Sequence, residues 1–151
     1  MKIELILLFI VIPVVMFSGC VSQGNSGNTS VNIDPNSNVE RVEVIHFHST
    51  HQCYSCITLG NYTEEIVNTY FSNEVKNGRL TFSHINVDLP QNKEITEKYG
   101  ATGSSLWIGV YNDTGFYKEE DFKVWYKVTD KEDFVNYTKS LIEKRLNGVF
   151  D

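Results

Sequence analysis

The sequence predicts a single α/β domain with a central mixed four-stranded sheet flanked by helices. Three observations predict this fold class. Short runs of β-branched and aromatic residues alternate with longer segments in which apolar residues recur at helical spacing. Helical segments connect the first three strands, and such crossovers require part of the sheet to be parallel. A tight turn joins the third strand to the fourth, which makes that edge antiparallel.

The first half of this domain has the predicted order β-α-β. Residues 41–48 (RVEVIHFH) are typical of a buried central strand. The helical pattern after Cys53 ends at the Asn-Gly pair 77–78, and Gly60 favours a bend inside it. Residues 80–87 (LTFSHINV) then form the second predicted strand.

The second half adds α-β-β-α, so that the whole order is β-α-β-α-β-β-α. A short helix is predicted over residues 91–99, and residues 106–111 (LWIGVY) form the third strand. The segment 116–128 is interpreted as the fourth strand, which is best seen in its last part, FKVWYKV. Asp130 begins the last helix as its N-cap, with Asp133 as its capping-box partner.

The N-terminal part is typical of an export segment. Residues 5–17 have no polar side chain, and this run is too short to span a bilayer comfortably but suits a signal peptide. The tetrapeptide FSGC, which ends at Cys20, resembles the lipobox of prokaryotic lipoproteins, in which a peptidase cuts before the cysteine and its sulfur carries lipid. An uncleaved anchor and a plain signal peptide are the alternatives.

The expected organisation is a lipoprotein signal peptide at 1–19, the lipidated Cys20 and a flexible Ser-, Asn- and Gly-rich linker at 20–39, and the folded domain at 40–151. This arrangement places the domain at the outer face of the cytoplasmic membrane, anchored through lipid on Cys20. The net charge of −6 and the lack of a basic patch exclude nucleic acid as a partner. A monomer is expected.

Chemistry is concentrated in HFHSTHQCYSC, residues 46–56, which holds three of the four histidines and two of the three cysteines. An outward-facing compartment permits disulfides. Because Cys53 and Cys56 close only a short loop, a bond between them stabilises the domain little, and a purely structural role is a poor explanation. The pair instead indicates dithiol–disulfide chemistry or metal binding.

The element order, with Cys-x-x-Cys between the first strand and its helix, resembles the thioredoxin superfamily. The run RLTFSHINVD followed by KYGATGSSLWIG is similar to the family's path from its second core strand to its third, and the resemblance covers about residues 41–146. It implies thiol–disulfide exchange without a dissociable cofactor, with protein thiols or disulfides or a membrane electron donor as partners. The sequence also has the pattern Phe-His, four further residues and then Cys-x-x-Cys. This pattern resembles that of small thioredoxin-like proteins described as a nitrophenyl-nitroreductase subunit.

Several positions depart from the family pattern. Gln52 replaces the usual Trp, and Tyr54-Ser55 replaces Gly-Pro between the cysteines. The family's buried acid and its lysine partner correspond to Phe47 and His84, and its cis-proline corresponds to Ser105. A cis bond before a non-proline residue costs ~2.5 to 4 kcal/mol, so we expect a trans bond and an altered surface there. A substrate chain is expected to lie on this surface in extended form.

The resemblance and the local physics assign roles to the sulfurs. Cys53 is placed at a helix N-terminus, where the helix dipole and unpaired backbone N–H groups favour the thiolate, so we expect it to attack. Cys56, one turn further in, is expected to be more buried and to resolve the mixed disulfide. His51 and His48 are expected to modulate the thiolate. His46 shares a strand face with His48, so one of the two is expected in the core.

Two other functions use the same residues. Cys53 and Cys56 as thiolates, with His48 or His51, would give a sulfur and nitrogen ligand set suited to zinc or copper, for metal binding or delivery. Alternatively, the domain is a non-catalytic binding module in which the two cysteines are idle.

Overall fold

A computed structural model describes residues 38–150 of the chain. The expected signal peptide at 1–19, Cys20 and the linker up to residue 37 lie outside the described residues. Within residues 38–150, no helix is both long enough and apolar enough to cross a membrane.

The described chain forms four strands and four α-helices in the predicted order, with one helix divided in two. The elements are β1 (Val39–His48), α1 (Tyr54–Tyr70), α2 (Ser72–Lys76), β2 (Leu80–Asn86), α3 (Lys93–Tyr99), β3 (Ser105–Asn112), β4 (Gly115–Glu120) and α4 (Lys131–Leu146), with 3-10 turns at Pro90–Asn92 and Lys123–Tyr126.

The four strands form one mixed sheet in the order β2-β1-β3-β4. Strand β1 pairs in parallel with β2 and antiparallel with β3, and β3 pairs antiparallel with β4. The predicted fold class is therefore confirmed: the protein is α/β, with a central mixed four-stranded sheet flanked by helices. Strand β1 is an inner strand, between β2 and β3. The loop that follows its C-terminal end therefore starts in the middle of the sheet.

Strand β1 is buried on both of its faces, as the apolar sequence predicts. Val42 and Val44 pack in the larger core, which also contains buried residues of α1 and α4. Ile45 and Phe47, on the opposite face, pack with Tyr99 of α3. The histidines at positions 46 and 48 continue the face of Val42 and Val44, because side chains alternate along a strand.

The prediction of a strand at 122–128 was wrong. Strand β4 ends at Glu120, and the following residues make a 3-10 turn whose Val124 backbone N–H donates to the Asp121 carboxylate at 3.1 Å. Phe122 and Tyr126 are 61% and 87% exposed, whereas Val124 and Val128 are buried. The buried positions are four residues apart, which is a helical spacing that the alternation of FKVWYKV concealed.

The predicted bend at Gly60 was also wrong. Helix α1 continues through Gly60 and ends at Tyr70, and Phe71 separates it from the short α2. The last helix agrees with the sequence: the Asp130 carboxylate accepts a hydrogen bond from the Asp133 backbone N–H at 3.1 Å. The first strand begins at Val39.

Candidate active site

Cys53 and Cys56 are joined by a disulfide at the start of α1, with their Cα atoms 5.0 Å apart. Cys53 is the N-cap of the helix: its backbone is extended, and its sulfur accepts from the Cys56 backbone N–H at 3.1 Å. The Cys53 side chain is exposed and that of Cys56 is half-buried. The pair is therefore a short-loop disulfide whose outer sulfur, that of Cys53, is the more accessible from solvent.

The loop before Cys53 is fixed to the end of β2. The Thr50 backbone N–H donates to the Asp88 carboxylate at 2.7 Å, and the Asn86 side-chain amide donates to the Thr50 hydroxyl at 3.1 Å. The hydrogen bonds from Thr50 lower the pKa of Asp88, and the neighbouring His51 and His48 lower it further. This carboxylate is therefore a fixed negative charge beside the loop that carries the predicted modulating histidines.

Two exposed apolar side chains lie on the first turns of α1, close to Cys53 in the chain. Tyr54, between the cysteines, is 84% exposed, and Ile57, on the next turn of α1, is 44% exposed. Exposed apolar groups beside a reactive atom are suited to contact a partner chain.

Three histidines meet on the sheet face below α1, and we call His46, His48 and His84 the histidine cluster. His46 of β1 lies opposite His84 of β2 in the parallel register, and their Nδ1 atoms are 2.9 Å apart. The rings of His46 and His48 stack with centroids 5.4 Å apart. At the outer end, His84 Nε2 lies 3.3 Å from a carboxylate oxygen of Glu64 on α1.

His46 is the buried member of the cluster, with only 1% of its surface exposed. This confirms the expectation that one of the two strand histidines is packed in the core. Burial first, and then the neighbouring His84 and His48, lower the pKa of His46 to about 4. Its Nε2 atom has no hydrogen-bond partner within the described chain.

Helix α1 brings the cysteines and the cluster together. A Cβ atom added to Gly60 would lie 2.4 Å from His46 Nδ1 and 3.0 Å from His84 Cε1, so the helix backbone lies directly over the two rings. Cys56 is four residues before Gly60 and shares its helix face. Cys56 therefore lies one helical turn, ~5.4 Å, closer than Gly60 to the end of the sheet at which His48 lies.

Ser105 is the first residue of β3 and is only 4% exposed. Its hydroxyl donates to the Gly103 carbonyl and accepts from Trp107 Nε1, both at 3.1 Å. The peptide bond before it is trans, as predicted. The hydroxyl is thus engaged within its own loop, and any pairing with a substrate chain there would use backbone groups.

The remaining predicted site residues are distributed as follows. His51 is exposed in the loop near Asp88, and Phe47 lies against α3, on the opposite side of the sheet from the cluster.

Among the described residues, no group of three or more His, Cys, Asp or Glu side chains is arranged to hold a metal ion. A surface cleft of about 580 Å³ between β4 and α4 includes neither cysteine among its lining residues.

Sequence reasoning missed the roles of Gly60, Glu64 and His84 in this site. His84 was identified only as the position of a family lysine, and its proximity to His46 depends on the parallel register of two strands that are far apart in the chain. The one available signal was that strands 41–48 and 80–87 both carry histidines near their C-terminal ends.

No protein-family model matches the sequence, and no curated protein matches it. Among solved structures, the chain is similar to a thioredoxin from Thermus thermophilus, with 17% identity and a TM-score of 0.45 over 69% of this chain and 75% of that one. It is also similar to a structure described as a malarial protein, with 17% identity and a TM-score of 0.41 over 70% of this chain and 98% of that one. The lipoprotein and nitroreductase-subunit resemblances stay predictions.

Proposed function

We propose that this protein is an exported, membrane-tethered thiol–disulfide oxidoreductase that uses Cys53 and Cys56. One observation carries the proposal: the two sulfurs form a disulfide at an exposed helix N-terminus, with Cys53 outermost. A short-loop disulfide at such a position stabilises the fold little, and its outer sulfur is accessible to exchange.

Exchange proceeds in two steps. In the reducing direction, the Cys53 thiolate attacks a substrate disulfide, forms a mixed disulfide and displaces one substrate sulfur as a thiolate, which takes up a proton. Cys56 then loses its proton and attacks the Cys53 sulfur, which displaces the second substrate sulfur and re-forms the 53–56 disulfide. Two electrons pass to the substrate, and the oxidising direction reverses the same steps.

The substrates in this proposal are exported proteins with thiols or disulfides, or a membrane protein that supplies electrons. Lipid on Cys20 would hold the domain at the outer face of the cytoplasmic membrane, where such partners are found. Tyr54 and Ile57 would contact the partner chain, because they are the exposed apolar groups beside Cys53.

The test uses the full chain with the disulfides of insulin as substrate and dithiothreitol as the source of electrons. We expect Cys53→Ala to abolish catalysed reduction of insulin and Cys56→Ala to accumulate a mixed disulfide through Cys53. Cys20→Ala is the matched control, because it removes a cysteine outside the pair and should leave catalysis unchanged. Wild-type activity no higher than that of the Cys53→Ala, Cys56→Ala double variant would refute the proposal.

The location is tested separately in bacterial cells that express the full chain. We expect the wild-type protein to incorporate a labelled fatty acid and to sediment with membranes, and we expect Cys20→Ala to do neither. Equal labelling of both proteins would contradict lipidation at Cys20, without bearing on the chemistry of Cys53 and Cys56.

A further inference from the structure

We propose that the histidine cluster is a proton relay that joins Glu64, at the solvent, to Cys56. This inference rests on the proposed function, because it concerns the proton that Cys56 must lose and regain during exchange. The cluster residues are positioning and proton-transfer residues in this scheme, and the sulfurs remain the groups that form and break bonds.

The contacts fix the direction of the hydrogen bonds. An ionised Glu64 carboxylate can only accept, so His84 Nε2, 3.3 Å away, carries the hydrogen. The Nδ1 atom of neutral His84 then has a lone pair, and His46 Nδ1, 2.9 Å away, donates to it. Consequently, the hydrogen-free nitrogen of His46 is Nε2.

This nitrogen is the unusual feature of the cluster. His46 Nε2 is buried and has no hydrogen-bond partner within the described chain. Burial of an unpaired polar atom costs roughly 1 to 3 kcal/mol, and most buried polar groups in proteins are paired. The structure thus places a basic lone pair inside the domain, next to the hydrogen-bonded rings of His46 and His84.

The lone pair and its neighbours can move a proton without holding a net charge in the core. When His46 Nε2 accepts a proton, the hydrogen on its Nδ1 passes to His84 Nδ1, and the hydrogen on His84 Nε2 passes to Glu64 or water. One proton enters and one leaves, so the buried ring stays neutral, as its depressed pKa requires. The reverse sequence delivers a proton inward.

The inner end of the relay lies below the turn of α1 that carries Cys56. Gly60, one turn later on the same helix face, is in contact with the rings of His46 and His84. His48 stacks on His46 toward the end of the strand, and its Nδ1 lies 3.0 Å from the Ser49 carbonyl. A carbonyl only accepts, so His48 Nδ1 carries the hydrogen and Nε2 is basic in the neutral ring.

The groups that face the cluster come from three elements. Glu64 belongs to α1, His84 to β2, and Asp88 follows β2 beside His48 and His51. Cys56 is half-buried, and its access to water as a proton acceptor is correspondingly reduced. The cluster lies against the helix turn next to the one that carries Cys56, so its basic nitrogens are placed to serve the thiol that has to ionise before it attacks the mixed disulfide.

The experiment follows the reaction of the reduced full chain, carrying Cys20→Ala so that Cys53 and Cys56 are its two thiols, with 5,5′-dithiobis(2-nitrobenzoate), which releases a coloured thiolate at each step. The first release reports the attack of Cys53, and the second reports the attack of Cys56 on the mixed disulfide. We expect His46→Asn and His84→Asn to slow the second release about 10²-fold at neutral pH and to leave the first unchanged, since general acid–base catalysis contributes this much or more. The pH profile of the second release should also differ from that of the wild type.

Two neighbouring carboxylates on α1 give a matched pair of surface variants. Glu64→Gln removes the outer end of the relay, and we expect it to shift the pH profile of the second release. Glu65→Gln breaks only a surface ion pair with Lys131 and should leave that profile in place. Because both side chains are about half exposed, neither variant endangers folding.

The failures of the two proposals are distinguishable. The relay variants are His46→Asn, His84→Asn and Glu64→Gln. If both releases have the same rates and pH profiles in these variants as in the wild type, the relay is overturned and the proposed oxidoreductase activity stands. Equal slowing of both releases would indicate a structural effect and would also overturn it. A wild-type protein whose Cys53 reacts no faster than an ordinary cysteine would overturn the proposed function itself.

Discussion

The Nδ1 atoms of His46 and His84 lie 2.9 Å apart, and the backbone of Gly60 covers the pair so closely that no side chain fits between them. The same helix presents Cys53 at its N-terminus. A shift of α1 along the sheet would therefore move the sulfurs and uncover the histidines together. The redox pair and the cluster are parts of one packing arrangement.

The first prediction concerns stability at acid pH. His46 has a pKa of about 4 in the folded protein against an ordinary value of 6.5, so between these values the unfolded chain binds a proton that the folded chain does not. Stability is thus fully present above about pH 6.5 and is lost as the pH falls toward 4, by about 3 kcal/mol for this one group. Urea unfolding of the oxidised protein at pH 7 and pH 4.5 measures the loss.

The control for this prediction is His46→Asn, which keeps a polar atom near the position of Nδ1 but does not titrate. We expect its unfolding free energy to be lower than that of the wild type at pH 7 but to fall less between pH 7 and 4.5. A wild-type curve that is flat over this interval would contradict the lowered pKa of His46 in the folded protein.

The second prediction is that Gly60→Ala destabilises the protein although alanine favours helices. The new Cβ would lie 2.4 Å from His46 Nδ1, and both the buried ring and the helix are confined. Overpacking of this kind costs typically about 1 to 3 kcal/mol, which exceeds the gain in helix propensity of roughly 0.5 to 1 kcal/mol.

Gly103→Ala is the comparison for this change, because a Cβ at Gly103 meets nothing within 4 Å. We expect it to leave the unfolding free energy unchanged within about 0.5 kcal/mol. Thermal unfolding followed by circular dichroism measures both variants. If Gly60→Ala were the more stable of the two, α1 would have to lie further from the cluster than it does here.

Much of the fold could be predicted from the sequence because its signals are local. The apolar run at 41–48 predicted the central strand, and the helical pattern that follows Cys53 predicted that this cysteine lies at a helix N-terminus. Asp130 and Asp133 predicted the start of the last helix. In each case, neighbouring residues determine the backbone conformation.

The predictions that were wrong or missing concern features that depend on contacts between residues far apart in the chain. The segment 122–128 alternates like a strand, yet Tyr126 is exposed and Val124 is buried, because the strand is already complete at Glu120. Likewise, the histidine cluster forms only when the parallel register places His84 beside His46. A single sequence contains no local signal for that register.

The third prediction concerns Ser105, which stands where the thioredoxin superfamily, which the sequence resembles, has a cis-proline. Its hydroxyl bridges the Gly103 carbonyl and the Trp107 indole N–H. Ser105→Ala removes the acceptor of the partly buried Trp107 indole N–H, so we expect a loss of about 1 kcal/mol and a shift in the tryptophan fluorescence. Ser104→Ala is the neighbouring control and should change neither quantity; equal effects of the two changes would contradict a specific role for the bridge.

The last prediction concerns a buried ion pair between β4 and α4. Arg145 is 2% exposed, and its Nε and Nη2 donate to the Glu119 carboxylate, the latter at 3.1 Å. Glu119→Gln removes the negative charge of this buried pair, so we expect the unfolding free energy in urea to fall by about 3 kcal/mol. Glu143→Gln, which breaks an exposed i,i+4 pair with Lys139, should cost at most about 0.5 kcal/mol. Comparable losses in the two variants would mean that water screens the Arg145 pair and that this pair contributes little to holding α4 against β4.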